Sequence, residues 1–435
     1  MRIVTLTNET KKSILNDLLK RSPNNYSEYE STVNEIISNV KENGDKAVFE
    51  YTARFDKFTL TPDNIKVTRE EIEEAYTKLD AKLIEVIRQS AENIRAFHTK
   101  QLRNSWFDAK EDGTILGMKI TPIGKVGVYV PGGKAAYPSS VLMNVVPAKV
   151  ANVGEIVMIT PPGADGKVNP GTLVAADIAG VDTIYKVGGA QAIAALAFGT
   201  ESIPKVDKIT GPGNIFVALA KKAVYGYVSI DSIAGPSEIL VLADETANPR
   251  YVAADLLSQA EHDELASAIL ITTSKELAEK VSEEVDGFVK ELNRAPIIQK
   301  SLDNYGYILL AENMQDAIDA VNEIASEHLE ILTKNPFDTM TRIKNAGAIF
   351  MGEYASEPLG DYFAGPNHIL PTNGTAKFFS PVNVDDFIKK TSIISYSEEA
   401  LKKVHEQIEL FAESEGLTAH ANSIKVRFED KSTTL

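Results

Sequence analysis

From Thr121 onward, short apolar runs alternate with helical stretches, and this alternation restricts the chain to one class of architecture. The runs Val126–Val130, Ile156–Ile159, Thr183–Val187 and Lys208–Thr210 are separated by helical patterns at Ser139–Ala151, Asn169–Ala179, Gln191–Phe198 and Asn214–Val224. Repeated strand–helix units of this kind form a parallel sheet covered by helices, with right-handed crossovers. A second alternation starts at Glu238–Leu242. It continues with a helix at Pro249–Leu265, a strand at Ala268–Thr272, a helix at Lys275–Leu292, a strand at Tyr307–Leu310, a helix at Gln315–Ala325, and strands at His328–Leu332 and Ala348–Phe350.

Residues 1–105 read as mostly helical. Val33, Ile36, Ile37 and Val40 recur at helical spacing, and a long helix is expected from Ala81 to about Trp106. Residues 356–380 are rich in Gly, Pro and Asn and read as a long loop, a segment type that usually carries function. From Glu398 an amphipathic helix (Leu401, Val404, Ile408, Phe411) is expected, then a short strand at Ser423–Val426. The expected division is a helical part at 1–120 packing on the second α/β unit, a nucleotide-binding α/β unit at 121–236, a second α/β unit at 237–380 and a small tail at 381–435.

Composition removes several chemistries. The chain has 435 residues and no cysteine, so disulfides, thiolate metal ligands and a cysteine nucleophile are all excluded. Any metal must be held by His, carboxylate or amide oxygen. A formal net charge of −16 disfavours nucleic-acid binding. No apolar stretch is long enough for a signal peptide or a membrane span, so the cytoplasm is the expected compartment.

Eight short motifs stand out. Gly127–Gly133, Gly188-Gly-Ala-Gln191 and Gly211-Pro-Gly-Asn214 each follow a strand and lead into a helix, where backbone N–H groups suit phosphate oxygens. None has the dinucleotide fingerprint spacing, and each alone reads equally as a tight turn. No acidic residue stands where ribose hydroxyls are usually met. Asp231–Glu238 joins the two α/β units and carries Ser237, a hydrogen-bond donor beside a cleft or simply part of a linker. On the expected helix Pro249–Leu265, Gln259 and His262 are spaced i, i+3 and share a face, so both suit zinc; a solvated polar stripe has the same spacing. Ser326-Glu327-His328 pairs a carboxylate with an imidazole, the usual proton-transfer groups near neutral pH, or marks a solvated helix end. Gly360–His368 contributes Asp361 and His368, and Glu415–His420 another such pair. The remaining histidines, His98 and His405, read as structural.

In this order and at this spacing, the motifs resemble those of the histidinol dehydrogenase family, over residues from about 25 to 428. The resemblance implies two incomplete Rossmann-like parallel-sheet domains, a helical N-terminal segment, a small C-terminal domain and an intertwined homodimer. It implies zinc and NAD as cofactors and L-histidinol as substrate, oxidised through L-histidinal to L-histidine, the last steps of histidine biosynthesis. Gln259, His262, Asp361 and His420 would hold zinc, and Glu327 and His328 would move protons. Substrate contacts would include Ser237, Gln259, His262, His328, Asp361, His368, Glu415 and His420, and NAD contacts Tyr129, Gln191 and Asn214. Glu415 and His420 would act in the partner's site. The runner-up is a zinc- and NAD-dependent dehydrogenase of another polar amino alcohol or diol. A non-catalytic binding protein is disfavoured because Glu327 and His328 are both present. Without cysteine, the aldehyde step has no thiohemiacetal route, so a hydrate is the expected species oxidised.

Overall fold

The computed structural model describes residues 1–21, 27–132 and 137–429. Gly133, the last glycine of the first Gly-rich turn, lies outside the described residues. Contacts divide the chain into two compact units, one of residues 1–102 and 123–387, the other of residues 103–122 and 388–435.

The larger unit holds two parallel sheets. In the first, Lys125–Tyr129 (β4), Glu155–Ile159 (β5), Thr183–Tyr185 (β6), Lys208–Thr210 (β7) and Ser229–Ile230 (β8) lie in the order β6-β5-β4-β7-β8. In the second, Glu238–Ala243 (β9), Ser267–Thr272 (β10), Gly306–Leu310 (β11), His328–Leu332 (β12) and Ala348–Met351 (β13) lie in the order β11-β10-β9-β12-β13. Counted along the chain, both sheets follow 3-2-1-4-5, the doubly wound Rossmann order short of its sixth strand. Arg2–Thr5 (β1) pairs parallel to β11 and widens the second sheet at its edge. That strand was not expected within a helical N-terminal part.

The helices follow the apolar periodicity closely. Asn8–Lys20 (α1), Ser27–Asn43 (α2), Asp45–Phe55 (α3), Arg69–Lys78 (α4) and Ala81–Thr99 (α5) form the N-terminal segment. Pro138–Val150 (α6), Pro170–Ala179 (α7), Gly189–Phe198 (α8) and Ile215–Val224 (α9) belong to the first sheet. Pro249–Ala260 (α10), Lys275–Val289 (α11), Ala295–Tyr305 (α12), Met314–Ile324 (α13) and the short Pro336–Met340 (α14) belong to the second. Asn169 and Asn248 cap α7 and α10, each with proline at the first turn, where a missing N–H costs nothing. Helices α2 and α3 pack with α8 and α9 on one side of the first sheet, while α4 and α5 meet α6 and α7. Among the described residues of this segment, β1 and α1 join the second sheet, and α5 donates from Ser90 Oγ and Asn93 Nδ2 to the carbonyls of Tyr362 and Phe363 in the loop after β13. Packing of residues 1–120 on the second α/β unit is the expectation; α2, α3 and α4 pack on the first instead.

At the end of α1, the fully buried Arg21 donates to Glu238 Oε1 at 2.5 Å and to the Leu265 carbonyl at 2.7 Å. Removing one partner of a buried ion pair leaves an uncompensated charge, which costs more than the pair itself contributes. Arg21→Met is therefore expected to lower stability by about 3–5 kcal/mol in reversible urea unfolding. A loss below about 1 kcal/mol, the scale of an exposed pair, would show that Glu238 needs no cation.

In the smaller unit, Trp106–Ala109 (β2), Ile115–Pro122 (β3) and Ile388–Ser395 (β14) form an antiparallel sheet in the order β14-β3-β2. Helix α5 stops at Thr99, so Trp106 opens a strand rather than closing a helix. After β14 come the helices Glu398–Lys402, His405–Ser414 and Thr418–Lys425. The expected strand at Ser423–Val426 is instead the end of the last helix. The alternation Ser-Ile-Lys-Val reads as strand only locally, whereas this segment pairs with the preceding helix.

Candidate active site

The catalytic candidates are set by the entry points of the second sheet. Glu238 opens β9 and His328 opens β12, and in register His328 lies opposite Ile239. The Glu238 N–H donates to Glu327 Oε2 at 2.9 Å. The Glu238 carbonyl faces His328 Nδ1 at 3.0 Å. A carbonyl only accepts, so Nδ1 carries the proton and Nε2 keeps its lone pair. Nε2 is buried, has no hydrogen-bond partner among the described residues, and lies 3.9 Å from Asp361 Oδ1. Burial, reinforced by the carboxylates of Glu238, Asp361 and Glu357, holds Glu327 well above the ordinary carboxylate range.

These groups sit at the amino ends of the strands, opposite to the usual placement in open α/β sheets. Helix α10 returns from β9 to the start of the parallel β10, so its C-terminal end comes to the same side. It stops at Ala260, and the Asp263 side chain and carbonyl then tie the Leu265 and Ala266 N–H groups into a turn entering β10. His262 thus lies in that turn and not on the helix, which corrects the expected shared helix face. It is exposed, and it lies near enough to influence both Asp361 and His368 electrostatically. Gln259, in the last turn of α10, is fully buried with both amide atoms unpartnered among the described residues.

The loop after β13 closes over this end. It begins with the short helix Glu357–Leu359 and a wide turn at Gly360–Ala364. Pro147, inside α6, has no N–H to give the Met143 carbonyl, and Asn367 Nδ2 donates to that carbonyl instead at 2.6 Å. This contact pins the loop one residue before His368. The His368 ring lies between the Asp361 carbonyl, 3.2 Å from Nδ1, and Ser140 Oγ, 3.4 Å from Nε2. Burial pushes it down to about 4, so it is a neutral contact. Burial and the Glu357 carboxylate push Asp361 up to about 6.

Glu357 was not foreseen. Ser258 Oγ donates to its Oε2 at 2.6 Å, and its backbone N–H donates to Glu330 Oε1 at 2.9 Å. Donor atoms of His328, Glu357 and Asp361 all lie within 4.8 Å of one another. The only trace in sequence is its position at the mouth of the Gly-rich loop. Ser237 lies on the linker into β9 and its carbonyl accepts from Ser267 N–H at 3.0 Å. Glu415 and His420 belong to the smaller unit, where both are exposed. His98 is buried against Gln101, its Nδ1 2.8 Å from Oε1, and His405 pairs with Glu409 at 3.1 Å. Both fit the structural roles expected of them.

A second concavity of about 920 Å³ lies at the carboxyl ends of β4–β7, where the strand order of the first sheet reverses. Tyr129, Gln191 and Asn214 all line it. The Tyr129 hydroxyl accepts from Gly189 N–H at 3.2 Å, and Gln191 Oε1 is buried and unpartnered among the described residues. Asn214 Oδ1 is occupied in capping α9, accepting from Phe216 and Val217 N–H groups. A Cβ at Gly188 would come within 2.5 Å of Pro161, so the wall there is bare backbone.

The histidinol dehydrogenase family profile matches residues 19–428. The chain belongs to the histidinol dehydrogenase family. The histidinol dehydrogenase of Clostridium acetobutylicum is 58% identical over 94% of this chain and 95% of its own. That of Bacillus subtilis is 58% identical over 92% of this chain and 93% of its own. The crystal structure of histidinol dehydrogenase from Elizabethkingia anophelis superposes with a TM-score of 0.92 at 37% identity, covering 98% of each chain. Histidinol dehydrogenases are zinc- and NAD-dependent oxidoreductases of histidine biosynthesis, and this chain is one of these enzymes.

The residues present fit both cofactors. Gln259 is a buried amide lacking partners, a costly state unless a ligand satisfies it. Its chain neighbour Ser258 donates to the Glu357 carboxylate and its own carbonyl accepts from the His262 N–H, at the C-terminal, negative end of α10, which suits a cation. The N-terminus of α8, where Gly188 offers no side-chain cap, suits a pyrophosphate.

Proposed function

We propose that Gln259, His262 and Asp361 hold zinc together with His420 of a second protomer, and that Glu327 and His328 carry the protons of an L-histidinol oxidation. The observation that carries this reading is His328 Nε2, a buried lone pair with its tautomer fixed by the Glu238 carbonyl. Zinc, when bound, supplies a positive charge that orients the substrate's amine and imidazole. The nicotinamide supplies the hydride acceptor.

His328 Nε2 takes the hydroxyl proton as the carbinol carbon gives up hydride, leaving L-histidinal. A water then adds to the aldehyde carbon as Glu327 takes its proton, and His328 returns the proton from the first step to the carbonyl oxygen, which gives the hydrate and leaves His328 neutral again. His328 takes a hydroxyl proton again as the second hydride leaves, and L-histidine results. Glu327 suits the water step because its raised proton affinity brings it toward the range where general bases work. Ser237 and His368 contact substrate, with Glu415 of the second protomer. Tyr129, Gln191 and Asn214 face NAD.

The assembly proposed is a homodimer with shared sites. The smaller unit supports it by exposing Ile394, Leu410, Phe411 and Leu417, apolar side chains beside the segment that carries Glu415 and His420. Among the described helices none is long and apolar enough to cross a membrane. The cytoplasm is the proposed location.

With L-histidinol, zinc and NAD, the purified protein is expected to form two NADH for each L-histidine. One NADH with accumulating aldehyde would remove the second oxidation. Turnover only of another amino alcohol or diol would favour the runner-up substrate.

A further inference from the structure

Asp56, at the C-terminal end of α3, lines the cavity assigned to NAD, and the inference below rests on that assignment. Its Oδ2 is shielded and has no donor among the described residues. Burial pushes the carboxyl up to about 6. The cavity's cations have other contacts: Lys167 pairs with Glu74 at 3.1 Å, and Arg54 lies over the Phe55 ring.

Two features select what this carboxylate meets. The first is its place in the cavity, which Asp56 lines together with Tyr129 and Gly189 of the phosphate-binding wall. Asp56 acts electrostatically on the Tyr129 hydroxyl, which accepts from Gly189 N–H at the start of α8. A carboxylate repels the phosphates of a dinucleotide, so Asp56 does not face the phosphates themselves. The donor next along a dinucleotide is a ribose, with two adjacent hydroxyls. The second feature is the side of the sheet. Helices α2, α3, α8 and α9 pack on one face, whereas α6 packs with α5 and α7 and presents Ser140 to His368. Asp56 therefore lies on the face away from the hydride centre, at the adenosine half.

We infer that Asp56 accepts the hydroxyls of the adenosine ribose and that its charge excludes a 2′-phosphate, making the enzyme selective for NAD over NADP. In the common Rossmann site this acid comes from the sheet itself, about 20 residues after the Gly-rich turn. Here it is delivered by the N-terminal helical segment.

The test is titration calorimetry of the zinc-loaded protein with NAD and with NADP. Wild type should prefer NAD. Asp56→Asn should weaken NAD binding by about 10–100-fold, the worth of hydrogen bonds to a charged group, and narrow the NAD/NADP ratio by about 10-fold. L-Histidinol binding and the melting temperature should stay unchanged. Asp56→Ser provides the same comparison if the amide disturbs folding. Unchanged NAD affinity and ratio in these variants would overturn the ribose assignment. Gln191→Ala separates this failure from that of the cavity assignment. If it weakens NAD while Asp56→Asn does not, the ribose role alone falls. If neither variant changes NAD binding, the cavity is not the cofactor site.

Discussion

Glu327→Gln is expected to lower turnover by at least about 10²-fold, the scale of general acid–base catalysis. The substitution is close to isosteric. A glutamine oxygen can still accept the Glu238 N–H that now reaches Glu327 Oε2 at 2.9 Å, so the side chain has reason to stay in place. What it loses is proton affinity. The KM for L-histidinol should therefore change little, because the pair acts on the reacting atoms rather than on binding. Steady-state kinetics with L-histidinal as substrate would isolate the water step, where the loss should be largest. Turnover near wild type with either substrate would take Glu327 out of the chemistry and leave His328 to act alone.

The second large effect concerns how a site is assembled. His262→Asn and His420→Asn should each be inactive as pure dimers, since each removes a proposed zinc ligand. In a hybrid dimer the two lesions fall together at one site, and the other site is intact. A two-fold assembly in which each site draws His262 from one chain and His420 from the other then recovers roughly one quarter of wild-type activity on random mixing. The mixture is made by unfolding and refolding the two proteins together, and activity is read against each refolded alone. No recovery would mean that both histidines of a site come from the same chain.

Much of the fold was legible in the sequence because local and global signals agree. The short strands around Gly127, Gly188 and Gly211 are buried on both faces, and each ends in a turn that only small residues fit. The Asn-Pro openings of α7 and α10 mark their own starts. The misreadings came from segments whose structure is decided elsewhere. β1 is four residues long and becomes a strand only because β11 offers a free edge. The tail segment Thr418–Lys425 is helical because a neighbouring helix covers it, against its local alternation.

The site divides along the same line. Glu327, His328, Asp361 and His368 could be named because they stand in distinctive loops or strand ends. Glu357 and Asp56 could not. Each is an ordinary acidic residue in sequence, singled out only by what the fold sets around it: Ser258 donates to Glu357, and Asp56 lines one cavity with Tyr129 and Gln191. His262 is expected on a helix running to Leu265 but lies in the turn after α10, because the helix stops at Ala260 and Asp263 ties the following residues into that turn.

The backbone of Glu238 holds both Glu327 and His328, one by its N–H and the other by its carbonyl. No substitution at that residue other than proline removes either group. The proton inventory of the pair is thus written into the pairing of β9 with β12, and a slip of one residue would turn His328 to the other face of the sheet. Strands β9 and β12 are about ninety residues apart in the chain and meet only by a long-range crossover, a slow kind of contact to form. Enzymatic competence during refolding therefore serves as a clock for the closure of this sheet, and helices formed earlier cannot set it running.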